Sequence, residues 1–238
     1  MEAKTYPFRG SKEWWILIPA MVLPCMASIF YFDLLADHPI AAALYFLTKT
    51  FTLVWPIIGT FILLQVWIPR FEIKHSRHRE AILPGLLTGL AIATIMLLGL
   101  YTPIGEAVFT YGDRIRGKAL ELGFYEWYIP FAIFLSFFHS LLEEYYWRWF
   151  VYGNLRNLIN PILANLLAAL AFASHHVIIL KEYFPWEWAI FFGSSVAIAG
   201  VIWNIHYERQ RTLVGAWVSH MIADLAIMTV GYFVIFPN

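Results

Sequence analysis

Long apolar runs separated by short polar stretches make up most of this chain. About 20 helical residues, each rising about 1.5 Å, cross a hydrocarbon core of about 30 Å. Runs of this length predict transmembrane helices, and we expect an all-α polytopic bundle of about seven to eight spans. The seven that can be delimited are residues 14–32, 50–68, 81–101, 128–152, 161–180, 185–205 and 213–236.

Two of the apolar runs carry a further signal. Lys49 interrupts the run 41–68, so we expect the span to begin after this lysine and the first third to lie at the membrane interface. Gly85 and Gly89 form the GxxxG spacing that lets membrane helices approach closely, which indicates packing and not function. Residues 102–127 mix charged and apolar positions, which is typical of a loop with a short amphipathic helix.

Composition agrees with a membrane protein. Of the residues, 61% are hydrophobic and 13% are charged, whereas soluble domains have about 45 to 50% apolar and about 25% charged residues. The 16 Lys and Arg residues balance 16 Asp and Glu residues, which argues against a nucleic-acid partner because phosphate binding requires a basic surface. The single Cys25 excludes a disulfide framework and a thiolate zinc cluster.

Basic residues predict how the chain is oriented. Lys and Arg collect in cytoplasmic loops. With the N-terminus in the cytoplasm, most of them fall on the cytoplasmic side, including Lys4, Arg9, Arg70 and Lys74. We therefore expect a multi-pass integral membrane protein with a cytoplasmic N-terminus.

Ionisable side chains inside the predicted spans are concentrated in three of them. Such residues cost a few kcal/mol each at the centre of a bilayer, so a membrane protein keeps them where they are buried in protein and used. The first three spans carry none at their centres. The residues are His139, Glu143, Glu144 and Arg148 in the fourth span, His175 and His176 in the fifth, and His220 and Asp224 in the seventh.

Helical spacing assigns the residues of the fourth span to different faces. Glu144 and Arg148 are four apart and share a face, which predicts an intrahelical ion pair with a structural role. Glu143 is rotated by about 100° from Glu144 and needs another partner. His139, one turn earlier, is either that partner or only a local hydrogen-bonding residue.

Counting from the turn at residues 160–161 places Glu143 and His176 at the same depth. Antiparallel helices rise equally from their turn, so these two side chains can meet. His175 is expected to point about 100° away from His176.

His220 and Asp224 in the last span are four apart and share a face. Each polar group, taken singly, has a structural explanation as a hydrogen-bonded packing residue or an ion pair. Three helices that each bury polar residues, two of them at equal depth, favour a functional site over coincidence.

The cluster contains the groups that hydrolysis of a peptide bond requires. A Glu and a His that flank a small cavity can hold a water molecule and remove its proton, and a second His can stabilise the oxyanion. Zinc is the alternative, since Glu143, His176, His220 and Asp224 are all acceptable ligands, although the HExxH spacing is absent. The nearby Ser residues form no specified triad, so a Ser or Cys nucleophile is not expected.

Three motifs occur in order in the second half of the chain. Residues 143–148 read EExxxR, residues 172–176 read FxxxH and residues 220–224 read HxxxD. In this ordered set the chain resembles the CPBP intramembrane proteases, the CAAX-protease and bacteriocin-processing family that includes Rce1-like glutamic endopeptidases. The resemblance divides one integral membrane domain into N-terminal spans with an amphipathic loop, 1–127, and a CPBP-like catalytic helical core, 128–238.

The resemblance implies a glutamate-dependent endopeptidase in an all-helical membrane fold and a role for each motif residue. Glu143 would activate a water molecule that His176 positions, and His220 would help to form the oxyanion hole. Asp224 stands where the family often has Asn. An ionised Asp cannot donate a hydrogen bond, so Asp224 either orients His220 or remains protonated. The supporting residues would be Glu144, Arg148 and Phe172.

The implied substrate is a membrane-associated protein or peptide, in contact with membrane lipid, and no cofactor is expected. Zinc remains open, and with it a zinc-dependent membrane protease. A non-catalytic membrane adaptor or immunity protein, in which the polar cluster only holds helices together, is the other alternative. A proton-coupled transporter would use similar residues, but the chain shows no inverted repeat.

Overall fold

The computed structural model describes residues 11–35, 38–64 and 75–237, and every regular element within them is a helix. The expectations that concern Lys4, Arg9, Arg70, Lys74 and residues 65–68 lie outside these ranges. The helices are α1 (Ser11–Ile29), α2 (Ile40–Ile57), α3 (His75–Gly99), α4 (Pro103–Thr110), α5 (Gly112–Glu121), α6 (Tyr128–Phe134), α7 (Ser140–Glu143), α8 (Gly153–Leu158), α9 (Pro161–Lys181), α10 (Trp186–Gln210) and α11 (Val214–Ile235). Four π-helical segments adjoin them: Phe30–Leu34, Ile58–Leu63, Leu135–His139 and Glu144–Tyr152.

Six of the described helices are long and apolar enough to cross a membrane. They run over Lys12–Leu34, Ile40–Leu63, Ser76–Gly99, Pro161–Lys181, Trp186–Gln210 and Val214–Ile235. The predicted fourth span is helical over 128–158, but it is not among the six, because its charged residues lower its mean hydropathy. The expected count of seven to eight spans is therefore not confirmed.

Two predicted boundaries differ from the observed ones. We expected the second span to begin after Lys49, but α2 already begins at Ile40. The helix tolerates Lys49 because its side chain is exposed and its ammonium group lies 5.3 Å from the centre of the Tyr45 ring. Within 102–127, the expected single amphipathic helix is a pair of short helices, α4 and α5.

Residues 128–158, which we call the motif helix, alternate between α-helical and π-helical turns. The π-helical segments Leu135–His139 and Glu144–Tyr152 enclose α7. A π turn is wider than an α turn, and where the two kinds of turn meet a backbone carbonyl can accept from a side-chain donor. Trp217 of α11 uses this opening, since its Nε1 donates to the carbonyl of Phe137 at 3.0 Å. The wide turns thus join the motif helix to α11 close to the motif residues.

The motif helix is also fixed by two tyrosines, one at its first residue and one near its middle. The Tyr146 hydroxyl donates to the carbonyl of Ala20 in α1 at 2.7 Å, and the Tyr128 hydroxyl donates to the carbonyl of Met228 in α11 at 2.7 Å. Tyr128 belongs to a small separate cluster, and Tyr146 belongs to the main hydrophobic core, to which α1, α9 and α10 contribute. Its buried side chains include Ile16, Leu17, Phe150, Leu155, Phe172 and Trp203.

Glycine residues set the position of α11, which carries two of the motif residues. Gly85 of α3 lies directly against the backbone of Gly215 in α11, and Gly89 lies against Ser219. A side chain at Gly85 would overlap the Gly215 backbone, so only glycine permits this approach. The close packing that the GxxxG spacing predicted is therefore observed.

Candidate active site

The motif helix, α9 and α11 meet inside the bundle and bring their ionisable residues into one cluster. Glu143 is the last residue of α7, His176 lies in the second half of α9, and His220 lies in the first half of α11. The two adjacent carboxylates, Glu143 and Glu144, face different groups of partners. The cluster therefore has two halves, which are described in turn.

Glu143 is surrounded by imidazole rings. Its Oε1 lies 3.4 Å from Nε2 of His139 and 3.7 Å from Nε2 of His175, and its Oε2 lies 3.7 Å from Nε2 of His220. Its side chain is 12% exposed, so the carboxylate is mostly enclosed by protein but not completely buried. Of the two explanations for His139, a partner of Glu143 is the one that agrees with this contact.

His176 also reaches Glu143, as their equal depth predicted. The carboxylate oxygen of Glu143 and ring nitrogens of His175 and His176 all lie within 4.8 Å of one another. His176 Nδ1 lies 3.0 Å from the carbonyl of Phe172 and donates to it, which leaves a lone pair on Nε2. A lone pair beside a carboxylate is an arrangement that can accept the two hydrogens of one water molecule.

The expectation for His175 was wrong. We expected this residue to point about 100° away from His176 and did not assign it to the site, but it contacts Glu143 and its ring centre lies 4.1 Å from that of His176. Its ring is parallel to that of Trp147, with an interplanar angle of 7° and centres 5.6 Å apart. Because Trp147 is one turn after Glu143 on the motif helix, the stacking directs His175 toward the carboxylate.

Glu144 forms the sealed half of the cluster. Its side chain is fully buried, and its Oε1 lies 3.3 Å from Nη1 of Arg148, as the spacing predicted. The same oxygen accepts a hydrogen bond from His220 Nδ1 at 2.8 Å, a contact between distant parts of the sequence that spacing alone does not reveal. Glu144 thus links the EExxxR motif to the HxxxD motif.

Arg148 is held between aromatic rings. Its side chain is 1% exposed, and its guanidinium carbon lies 4.3 Å from the centre of the Phe172 ring and 5.0 Å from the centre of the Trp203 ring. Cation–π contacts of this kind stabilise a desolvated guanidinium. Phe172, the first residue of the FxxxH motif, therefore lies directly against the charge of the EExxxR motif.

His220 lies between the two halves. Its Nδ1 faces Glu144, while its Nε2 lies 3.7 Å from Glu143 and 3.6 Å from Oδ1 of Asp224. The ring stacks on Trp203, with centres 4.0 Å apart and an interplanar angle of 17°. Asp224 is 22% exposed and lies on the more accessible side of the ring.

Trp203 is a site residue that the sequence did not reveal. It lies in α10, a helix to which no motif was assigned, and its Nε1 donates to Ser219 Oγ at 3.0 Å. An aromatic residue in an apolar span is usually part of the core, so composition gave no reason to select it. The one available signal is its indole N–H, which requires a polar partner when it is buried.

A possible metal-binding group differs from the predicted one. Within the described residues, the side-chain atoms that lie close enough together to bind one metal ion come from Glu143, His175 and His176. The predicted set was Glu143, His176, His220 and Asp224. Two imidazoles and one carboxylate match the protein ligands of some catalytic zinc sites. These are also the groups that would hold a water molecule, so the same geometry suits both types of chemistry.

Comparison with known protein families identifies the region that contains this cluster. Residues 125–226 match the family described as type II CAAX prenyl endopeptidase Rce1-like. This region is Rce1-like. The match begins just before the motif helix and ends within α11, so the Rce1-like region contains the complete EExxxR, FxxxH and HxxxD motifs. No protein of curated function and no solved structure matches the chain.

The Rce1-like region and the apolar helices together define the class of protein. The family is one of proteases, and six helices are apolar and long enough to span a bilayer. The chain is therefore an integral membrane protein with a region that matches a family of proteases. The resemblance to this family that the three motifs indicated is confirmed.

Proposed function

We propose that this protein is a glutamate-dependent intramembrane endopeptidase that hydrolyses a peptide bond in a membrane-associated protein or peptide. The observation that carries the proposal is the position of Glu143, a partly accessible carboxylate between imidazoles from three helices. The match to the type II CAAX prenyl endopeptidase family supports it. Prenylated proteins with a C-terminal CAAX sequence are therefore the first substrate class to test.

In the proposed reaction, Glu143 and His176 activate a water molecule. Water can donate one hydrogen to the Glu143 carboxylate and the other to the lone pair on His176 Nε2. Glu143 takes one proton as the water oxygen attacks the carbonyl carbon of the substrate. The tetrahedral intermediate then collapses, the C–N bond breaks, and the proton held by Glu143 passes to the leaving amine.

His220 and its partners are proposed to stabilise the oxyanion. Glu144 accepts a hydrogen bond from Nδ1–H of His220, so Nε2 is the nitrogen directed toward the reacting groups. Carboxylates on both sides, Glu144 and Asp224, stabilise the doubly protonated ring, whose Nε2–H can donate to an oxyanion. In this scheme Asp224 orients His220 and does not itself donate to the oxyanion, which agrees with its 3.6 Å contact with the ring.

Purified protein in liposomes, incubated with a farnesylated CAAX peptide, tests the proposal. We expect release of the C-terminal tripeptide by the wild-type protein and release at least about a hundredfold slower by Glu143→Gln and His176→Ala, with both variants still folded. A chelator is expected to leave cleavage intact. Loss of cleavage on chelation, with stoichiometric zinc in the purified protein, would instead assign Glu143, His175 and His176 to zinc. Cleavage by Glu143→Gln at the wild-type rate would contradict the proposal.

A further inference from the structure

The two oxygens of the Glu143 carboxylate have different surroundings. Oε1 faces His139 and His175, which approach it from the motif helix and from α9. Oε2 faces one imidazole within the described residues, His220 of α11 at 3.7 Å, and the proposed reaction directs the Nε2–H of His220 to the oxyanion. A carboxylate can rotate about its last side-chain bond, so an asymmetric set of partners determines which oxygen is held and which is available.

The ring of His175 is oriented by its neighbours. Trp147 stacks on one side of it, and its Nδ1 is buried without a hydrogen-bond partner. If the ring proton were on Nδ1, a buried donor would be unsatisfied and the Nε2 lone pair would face the Glu143 oxygen. With the proton on Nε2, the ring donates toward the carboxylate and only an acceptor is left unpaired. The second tautomer is therefore favoured.

His139 provides a second donor for the same oxygen. It lies one turn before Glu143, and Trp147 lies one turn after it, so the three residues form a stripe along the motif helix. The distances of 3.4 and 3.7 Å from Oε1 to His139 and His175 are longer than an ideal hydrogen bond. Contacts of catalytic groups commonly shorten when substrate is bound.

We propose that His139 and His175 are positioning residues that hold Oε1 of Glu143 through their Nε2–H groups and leave Oε2 as the atom that receives the proton from water. This inference rests on the proposed function. Fixing one oxygen by charge-assisted hydrogen bonds from two helices removes the rotational freedom of the general base before substrate arrives. Neither residue stands at a specified position of the EExxxR, FxxxH or HxxxD motifs, although His175 lies between Phe172 and His176.

The ring tautomers give a test that does not depend on activity. We expect ¹⁵N NMR of histidine-labelled protein in nanodiscs to show His139 and His175 protonated on Nε2, and His176 protonated on Nδ1, as its bond to Phe172 requires. Each signal is assigned by its loss in the corresponding His→Gln variant. A bare Nε2 on either His139 or His175 would overturn the proposal.

A pair of substitutions at His175 separates hydrogen bonding from packing. His175→Phe keeps an aromatic ring against Trp147 but has no donor, whereas His175→Gln keeps an N–H donor without the ring. We expect kcat to fall by about tenfold to a hundredfold in His175→Phe, with KM unchanged, and to recover at least in part in His175→Gln. The reverse order of the two variants would show that the ring serves packing and would contradict a positioning role.

The same design applies to His139, with a control elsewhere in the bundle. His139→Leu is expected to lower kcat and His139→Gln to restore it in part. His206→Gln is the matched control, because His206 is an imidazole in α10 that bonds to Thr88 at 3.0 Å, outside the cluster. We expect wild-type kcat from the control. Melting curves of all variants establish that they are folded.

Failure of this inference is distinguishable from failure of the proposed function. If Glu143→Gln is inactive while His139→Leu and His175→Phe both cleave at the wild-type rate, the endopeptidase stands and the positioning role is wrong. If wild-type protein cleaves no farnesylated peptide, the proposed substrate class is wrong. The tautomers seen by NMR still decide whether His139 and His175 donate to Glu143.

Discussion

Glu143 and Glu144 are adjacent in the sequence, yet their surroundings are opposite. Glu144 is fully buried beside the permanent positive charge of Arg148. All ion-pair partners of Glu143 within the described residues are imidazoles, which gain and lose protons. A fixed cation holds its carboxylate in one place, whereas imidazoles are groups that can pass protons to and from a neighbour. This difference in surroundings is the reason that the proposed mechanism assigns catalysis to Glu143 and a structural role to Glu144.

The largest expected effect is the loss of activity in Glu143→Gln. The amide cannot accept a proton from water, so kcat is expected to fall by about 10³ to 10⁴. Because Glu143 has no fixed cation to leave unpaired, we expect the melting temperature to change by no more than about 2 °C. Cleavage assays and melting curves on the same preparation measure both quantities. A large loss of thermal stability would remove the proposed difference between the two glutamates.

Arg148→Met is expected to affect stability first. It leaves the Glu144 carboxylate buried without its guanidinium partner, and breaking a buried pair of this type costs about 3 to 5 kcal/mol. Chemical unfolding in detergent measures the difference. Arg156→Met is the matched control, because Arg156 pairs with the partly exposed Glu208 at 2.7 Å and such pairs contribute about 0 to 1 kcal/mol. Equal losses in the two variants would argue against a special role for the buried pair.

His176→Ala tests only the half of the cluster that surrounds Glu143. Without the Nε2 lone pair, the water molecule is held only by Glu143, and we expect kcat to fall by about a hundredfold. The variant should melt near the wild-type temperature, since His176 bonds to the backbone of its own helix. An active His176→Ala together with an inactive His175→Phe would transfer the water-positioning role to the adjacent residue.

Asp224→Asn is expected to have the smallest effect. The amide still offers an oxygen to His220 Nε2 but carries no charge. We therefore expect transition-state stabilisation to weaken by about the contribution of one hydrogen bond, which lowers kcat by about tenfold. Asp224→Ala removes the contact and should cost more. If Asp224→Asn abolishes cleavage, the carboxylate has a proton-transfer role that orientation of His220 does not explain.

Several features of the site could be predicted from the sequence because they depend on local geometry. The pairing of Glu144 with Arg148 follows from a spacing of four residues, and the approach of Glu143 to His176 follows from counting along two helices from one turn. These predictions require only the rise and the periodicity of an α-helix. The proposed division at residues 127 and 128 and the cytoplasmic N-terminus stay predictions.

Other features depend on how helices rotate against each other, which periodicity does not specify. The contacts of His175 with Glu143, of His220 with Glu144 and of Trp203 with His220 all join different helices. The π-helical segments of the motif helix also change the direction in which the following side chains point, because a wider turn alters which residues share a face. For the same reason, the stacking between Trp147 and His175 was not expected.

The two π-helical segments make the site dependent on the exact number of residues in the motif helix. A π turn holds an additional residue compared with an α turn, and each residue in an α-helix rotates the chain by about 100°. Adding one residue to Leu135–His139, beyond what its wide turn already holds, would leave Tyr128 anchored on Met228 but turn Glu143 by about 100°, away from α9. The site can therefore be lost without changing any of its side chains, through the length of a segment that contains none of the three motifs.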